Sequence, residues 1–315
     1  MARKPDSHAS AAATATAQPL PGRRGSRLKA IGLMCLAVSL FGCLDTTAKY
    51  LGTLAGIPVA QVVWMRFLAQ MLLFMAAVGP MTLPRLARSN RLCLQFVRSS
   101  LLLGATVFNF LALQHLRLDQ TTTMFFLTPL TVALLAGPLL GEWVGWRRYL
   151  AILVGFMGIL VAIRPGIANV HPAFLLSLGA MLSYAGFSLI TRHLAPLDQP
   201  QVTFFYSMLV GIVLVAPFAL TNWVWPQRWQ IWALLPLLGV FGGIGHYLFI
   251  LSNRLAPASV VSPFVYAGLV SNTTLGYLVF GDLPDRWTML GAGIVVGSGL
   301  YLIGRERRPG AGGPA

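Results

Sequence analysis

Apolar runs of about twenty residues recur along almost the whole chain, and this feature restricts what it can fold into. A run of that length crosses the roughly 30 Å hydrocarbon layer of a bilayer as a helix. Breakers and charges mark off ten of them, near residues 30–52, 58–78, 92–113, 121–140, 149–163, 173–194, 202–220, 231–251, 260–280 and 289–303. Of the 315 residues, 56% are hydrophobic and 10% charged, against about 25% charged in soluble domains. A transmembrane β-barrel needs alternating strands of about ten residues, and no such alternation is visible. The reading is an all-α membrane protein of ten transmembrane helices. The fifth and tenth are short enough to extend into their flanks.

Charge placement sets the orientation. A net charge of +15 is an excess that nucleic-acid binders also carry. Here the cations sit in tails and short connectors between spans, so no nucleic acid is expected as a partner. With the N-terminus inside, sixteen Arg and Lys fall on the cytoplasmic side, Arg85, Arg88 and Arg91 among them. Outside are only Arg117, Arg164, Arg228 and Arg286. Cytoplasmic connectors collect positive residues, so both termini are expected in the cytoplasm of a multi-pass inner-membrane protein. Trp223, Trp225, Trp229 and Trp232 fit an interfacial belt at the outer end of the seventh span. Residues 1–29 and 305–315 read as small, polar and basic cytoplasmic tails. The first lacks the 7–15-residue apolar core of a signal peptide. Cys35, Cys43 and Cys93 form no CxxC pair, so neither a disulfide nor a metal site is expected, and no cofactor is implied.

The two halves repeat. Phe41 and Lys49 fall over Tyr184 and Arg192 at an offset of 143, and Pro58 and Trp64 over Pro200 and Tyr206 at 142. Gly141-Glu142 falls over Gly281-Asp282 at 140, and Trp146, Gly158 and Arg164 over Trp287, Gly299 and Arg305 at 141. Asn109-Phe110 over His246-Tyr247 needs 137. Residues 30–165 and 172–304 therefore form two repeats. Five spans per half is an odd number, so the halves lie upside down to one another. Such inverted repeats hold a solute site near the bilayer midplane in many transporters.

The stretches LDTTAKYLG, QVVWMRF, FNFLAL, FFLTPLTVALLAGPLLGE, GFMGILVAIRPG, SPFVYAGLV, LGYLVFGDLPD and GSGLYLIGRER run in this order from about residue 31 to 305. Together they resemble the EamA branch of the drug/metabolite transporter superfamily. The resemblance implies ten helices, two EamA repeats and a central cavity built by spans 1–4 and 6–9. Spans 5 and 10 are then peripheral. The most similar-looking subgroup includes S-adenosylmethionine and riboflavin uptake carriers and some metabolite exporters. Residues 271–277, SNTTLGY, depart from the more apolar or aromatic pattern usual there.

A charge inside hydrocarbon costs on the order of 3 kcal/mol even on a lenient scale. Asp45 lies about 10 Å in from the outer end of the first span and Arg66 about 12 Å in on the second, at 1.5 Å per residue. Their depths match, which predicts a cross-helix pair. Lys49, one turn further out, either joins them or reaches toward headgroups. Two readings stand: a pair that pins two helices, or a charged group on the path of a solute or proton. Two bases against one acid suit an anionic or zwitterionic solute. Arg98, near the inner end of the third span, is expected to reach to lipid headgroups. His246 is either a satisfied buried histidine or a proton-linked contact. Asn109 is either helix–helix glue or a solute contact. Trp64, Phe110, Tyr184, Tyr206, Tyr247 and Tyr266 are candidates to line a cavity, with ordinary packing as the alternative. Glu142 and Asp282 are expected to be structural.

The chain carries no metal-spaced cluster, P-loop or hydrolase elbow, so no enzyme is expected and no ATP drive of its own. The function expected is secondary transport of a small polar or zwitterionic metabolite by alternating access, with export first. Uptake of a cofactor-like molecule such as riboflavin or S-adenosylmethionine is the alternative. The partners are that solute and membrane lipid, for a monomer or homodimer. A lipid-processing enzyme and a non-transporting scaffold are the rival classes.

Overall fold

The computed structural model describes residues 24–140, 146–164, 171–194, 197–256 and 261–306. We number the principal helices α1 (Arg24–Thr53), α2 (Val59–Val78), α3 (Leu92–Leu113), α4 (Leu118–Phe125), α5 (Thr128–Leu140), α6 (Trp146–Ile163), α7 (Ala173–Leu194), α8 (Pro200–Thr221), α9 (Trp229–Leu255), α10 (Ala267–Phe280) and α11 (Arg286–Glu306). Among the described residues, six helices are long and apolar enough to cross a membrane: those carrying 27–53, 59–78, 92–113, 173–191, 200–221 and 229–253. The apolar helices at 149–163 and 264–280 are shorter. Glu142 lies outside the described residues.

The spans expected at 121–140 and 260–280 are not continuous α-helices. The first breaks between α4 and α5, and the second opens as a 3-10 turn, Ser262–Tyr266, before α10. Each restart carries a proline in its first two positions, Pro129 and Pro263. A proline has no N–H to give and is best tolerated in the first turn of a helix. The offset of 140 that aligns Gly141-Glu142 with Gly281-Asp282 also carries Phe126-Leu127 onto Tyr266-Ala267. Both halves thus change backbone geometry at the same repeat position. The two rings there meet edge to face, Phe126 and Tyr266, with centroids 4.8 Å apart.

Packing runs mainly between the halves and follows the repeat. Helix α1 packs on α9, and its counterpart α7 packs on α3. The pairs α2–α9 and α3–α8 exchange in the same way, as do α1–α10 and α5–α7, while α2–α8 and α6–α11 are self-related. Helices α6 and α11 approach to backbone contact. A Cβ on Gly291 would sit 2.5 Å from the Gly158 carbonyl oxygen, and one on Gly158 would sit 2.9 Å from that of Gly291.

The main core gathers Leu44, Leu51, Val63, Phe67, Leu113, Met208 and Leu238 from both halves. The outward faces are also apolar: Leu72, Leu175, Phe218, Val270 and Leu278 are each more than 60% exposed. In water such faces would aggregate. In hydrocarbon they face their own solvent, while each helix satisfies its backbone internally.

Candidate functional site

Polar residues inside this apolar set converge on one place. Asp45 comes from α1, Arg66 and Gln70 one turn apart from α2, Thr106 and Asn109 from one face of α3. Asn109 Nδ2 donates to Asp45 Oδ1 at 3.0 Å. Arg66 Nη1 donates to Thr106 Oγ1, and its guanidinium lies over the rings of Phe67 (5.0 Å) and Phe110 (5.8 Å). Arg66 and Asn109 are buried, while Asp45 keeps partial exposure.

The direct Asp45–Arg66 pair expected from their depths is not made. Among the described residues no Lys or Arg nitrogen lies within 4.0 Å of Asp45. The two charges attract across a longer gap. The reason is α3, which supplies each with a neutral partner, an amide to the acid and a hydroxyl to the base.

Among the described residues, three buried polar atoms here have no partner: Arg66 Nε, Gln70 Oε1 and Asn109 Oδ1. Each buried polar group left unmatched costs about 1–3 kcal/mol. On the packed helices α2 and α3 they make a set of one donor and two acceptors. Helix α9 closes the group through glycine. A Cβ on Gly242 would lie 3.5 Å from Gln70 Oε1 and 3.6 Å from Arg66 Nε. A turn on, His246 Nδ1 donates to the Gly242 carbonyl at 2.8 Å, and its ring meets Phe41 edge-on at 4.9 Å. Tyr184 stands near both Arg66 and Arg98, with its ring 5.5 Å from Phe187 and 5.9 Å from Phe125.

Other candidates lie elsewhere. Lys49 leaves the group for the far half: its Nζ sits 2.8 Å from Asp282 Oδ2 and 4.5 Å from the centre of the Phe280 ring. Asp282 reaches it because Gly281 ends α10 in the left-handed region, φ 73°. The Gly281 N–H then returns to the Tyr277 carbonyl at 2.9 Å, the single bond of an αL helix cap. Trp64 turns its ring edge to Trp223 at 6.0 Å. Tyr206 donates to the Ala87 carbonyl at 2.7 Å, at the end where α2 joins α3. Tyr247 is 66% exposed on the outside. The Tyr266 hydroxyl is buried without a partner beside Phe126.

Arg98 does not reach to headgroups. It is buried, and its guanidinium donates to Thr191 Oγ1 at 2.6 Å, the Thr203 carbonyl at 3.1 Å and Ser207 Oγ at 2.8 Å. These partners belong to α7 and α8, so Arg98 joins the two halves. The signal available in the sequence was those hydroxyls, which pattern alone does not assign to Arg98. The departure at SNTTLGY also has a use. Ser271 Oγ bonds Ser39 Oγ at 2.8 Å, and Asn272 Nδ2 donates to Thr122 Oγ1, which ties α10 to α1 and α4.

Each end carries a polar cluster between the halves. At one end Asp198, between α7 and α8, accepts from Ser89 Oγ, the Asn90 N–H (3.0 Å) and Gln95 Nε2 (2.9 Å). Burial alone would raise the Asp198 carboxyl, but these bonds outweigh it and hold it below its ordinary value. At the other end Arg164 pairs with Asp285 across the halves at 2.7 Å, and Arg117 pairs with Asp119 within the first half at 3.1 Å. Gln61 exchanges two hydrogen bonds with the backbone of Val224 there, at 2.9 and 3.0 Å.

The model of the EamA-like transporter family matches residues 28–164 and 171–305. An S-adenosylmethionine uptake transporter of Rickettsia bellii is 27% identical over 282 residues, covering 88% of this chain and 94% of that one. A riboflavin transporter of Vibrio cholerae is 27% identical over 280 residues, 87% of this chain and 93% of that one. A pseudopaline exporter of Pseudomonas aeruginosa is 24% identical over 272 residues, 84% and 92%. One crystal structure superposes with a TM-score of 0.59 at 19% identity, over 91% of this chain and 99% of that one, a likeness of fold.

Proposed function

The chain belongs to the EamA-like transporter family, a multi-pass membrane transporter, and on that premise we propose that it carries a small zwitterionic metabolite across the inner membrane. The observation that carries this reading is the unpaired acid and base at the polar centre. Lys49 is neutralised by Asp282 at 2.8 Å, which leaves one carboxylate, Asp45, and one guanidinium, Arg66. Among the described residues neither is ion-paired, and each is held by a neutral group on α3. A solute with one anionic and one cationic end would bridge them. Arg66 Nε, Gln70 Oε1 and Asn109 Oδ1 would meet its other polar groups. The gain is large because those atoms otherwise stay unmatched.

Alternating access fits the way the halves meet. Repeats 30–165 and 172–304, inverted with both termini cytoplasmic, would rock about the centre as ten spans. Opening one end releases the Asp198 clamp, and opening the other releases Lys49–Asp282 and Gln61–Val224. The sequence expectation of outward transport draws support from the pseudopaline exporter. A second reading, uptake of a cofactor-like molecule, draws support from the relatives named for S-adenosylmethionine uptake and riboflavin transport.

Counterflow into proteoliposomes tests the proposal, with radiolabelled S-adenosylmethionine, riboflavin and a panel of zwitterionic amino acids. Zwitterions are expected to exchange. Asp45→Asn and Arg66→Gln should each abolish exchange while leaving a monodisperse protein. Exchange that survives both substitutions refutes the site, and exchange restricted to uncharged solutes refutes the solute class.

A further inference from the structure

Residues 79–91 join α2 to α3. Both helices are long and apolar enough to span, so the connector lies where hydrocarbon gives way to headgroups. Its geometry is defined. Gly79 turns the chain at φ 89°, Thr82 Oγ1 donates back to the Gly79 carbonyl at 2.7 Å, and a short helix follows, Leu83–Leu86. Leu86 is buried, whereas Met81 is 95% exposed and Leu83 43%.

Beside these two apolar side chains stand Arg85, Arg88 and Arg91, all exposed. Among the described residues none has a carboxylate within 4.0 Å. Asp198, the acid packed against this connector, is occupied by Ser89, Asn90 and Gln95. Large apolar groups turned outward next to unpaired guanidiniums are the composition of a segment lying in a membrane interface. The guanidinium fork matches phosphate oxygens in pairs.

We propose that residues 79–91 form a binding site for anionic phospholipid, with Met81 and Leu83 among the acyl chains and Arg85, Arg88 and Arg91 on headgroup phosphates. The same connector carries the Asp198 clamp through Ser89 and Asn90. Tyr206 of α8 also donates to its Ala87 carbonyl. Lipid held by this connector would therefore sit beside a contact between the halves.

The test uses the whole chain in nanodiscs of phosphatidylcholine, and in discs with a quarter of that lipid replaced by phosphatidylglycerol. Amide hydrogen exchange over 79–91 is read by mass spectrometry. Exchange is expected to slow in the anionic discs, with each arginine contributing about five-fold to headgroup binding. The triple variant Arg85→Gln, Arg88→Gln, Arg91→Gln should lose the slowing, with protection in the centre of α3 unchanged. Met81→Ser with Leu83→Ser should reduce it. If the triple variant does not fold, high salt on the wild-type chain takes its place, because it screens exposed arginines. Equal exchange in both discs overturns the proposal, as does slowing that persists in the triple variant or in high salt. Equal slowing by inorganic phosphate in phosphatidylcholine discs overturns the lipid assignment.

Discussion

Asp282→Asn breaks the Lys49–Asp282 pair in the more damaging of two ways. The charged atoms are 2.8 Å apart, and the side chains keep 11% and 27% of their exposure for Lys49 and Asp282. At an effective dielectric of about 20 the gross attraction is about 6 kcal/mol. Desolvation of both ends offsets most of it, leaving a net contribution of about 1–2 kcal/mol, above that of a surface pair. Removing the acid costs more than that net value, since an ammonium stays behind over the Phe280 ring. A fully buried orphan charge costs about 3–5 kcal/mol. This end is partly open, so about 2 kcal/mol is expected. Lys49→Gln leaves the better hydrated carboxylate and should cost about 1 kcal/mol. The double variant strands no charge and should cost less than the two single losses added. Thermal unfolding in detergent, followed by tryptophan fluorescence, reads this as a drop of about 4 °C for Asp282→Asn. A larger drop for Lys49→Gln, or a double variant equal to the sum, would falsify the reasoning.

Two further outcomes follow from the clamps. Arg98→Lys should not restore the stability lost in Arg98→Gln, on the order of 3 kcal/mol in thermal or denaturant unfolding. A lysine cannot span Thr191, Thr203 and Ser207 with one fork, whereas a side chain reaching to headgroups would accept the exchange. Asp198 has a folded-state value held below its unfolded one. Its contribution is therefore complete above the ordinary carboxylate value and falls away as pH drops through the lower folded-state value. Asp198→Asn should flatten the acid side of the stability profile, measured as melting temperature against pH, and leave the slope above neutrality unchanged.

Most of the architecture was readable along the chain because it depends on local composition. Run length decides what can cross hydrocarbon, but it did not show that the expected spans at 121–140 and 260–280 are broken. Residues spaced by one or two turns, such as Arg66 with Gln70 and Thr106 with Asn109, share a face by helical period alone. The partners of charged residues were not readable. Depth matched Asp45 to Arg66, yet depth is one coordinate of three. The other two place α3 where it takes both groups. Arg98 was misplaced for the same reason, since its hydroxyl partners lie about a hundred residues further on.

The sequence by itself determined that this chain is a helical membrane protein of two repeats with charges kept inside it. Those properties follow from transfer free energy and helical period, which act residue by residue. Only the tertiary structure decided which charge meets which. It sends Lys49 to Asp282 and leaves Asp45 and Arg66 apart at the centre, because hydrogen bonds and ion pairs act over about 3 Å and depend on how helices distant in sequence cross. The buried atoms left without partners were decided there too, since a lack of partners exists only once every neighbour is in place.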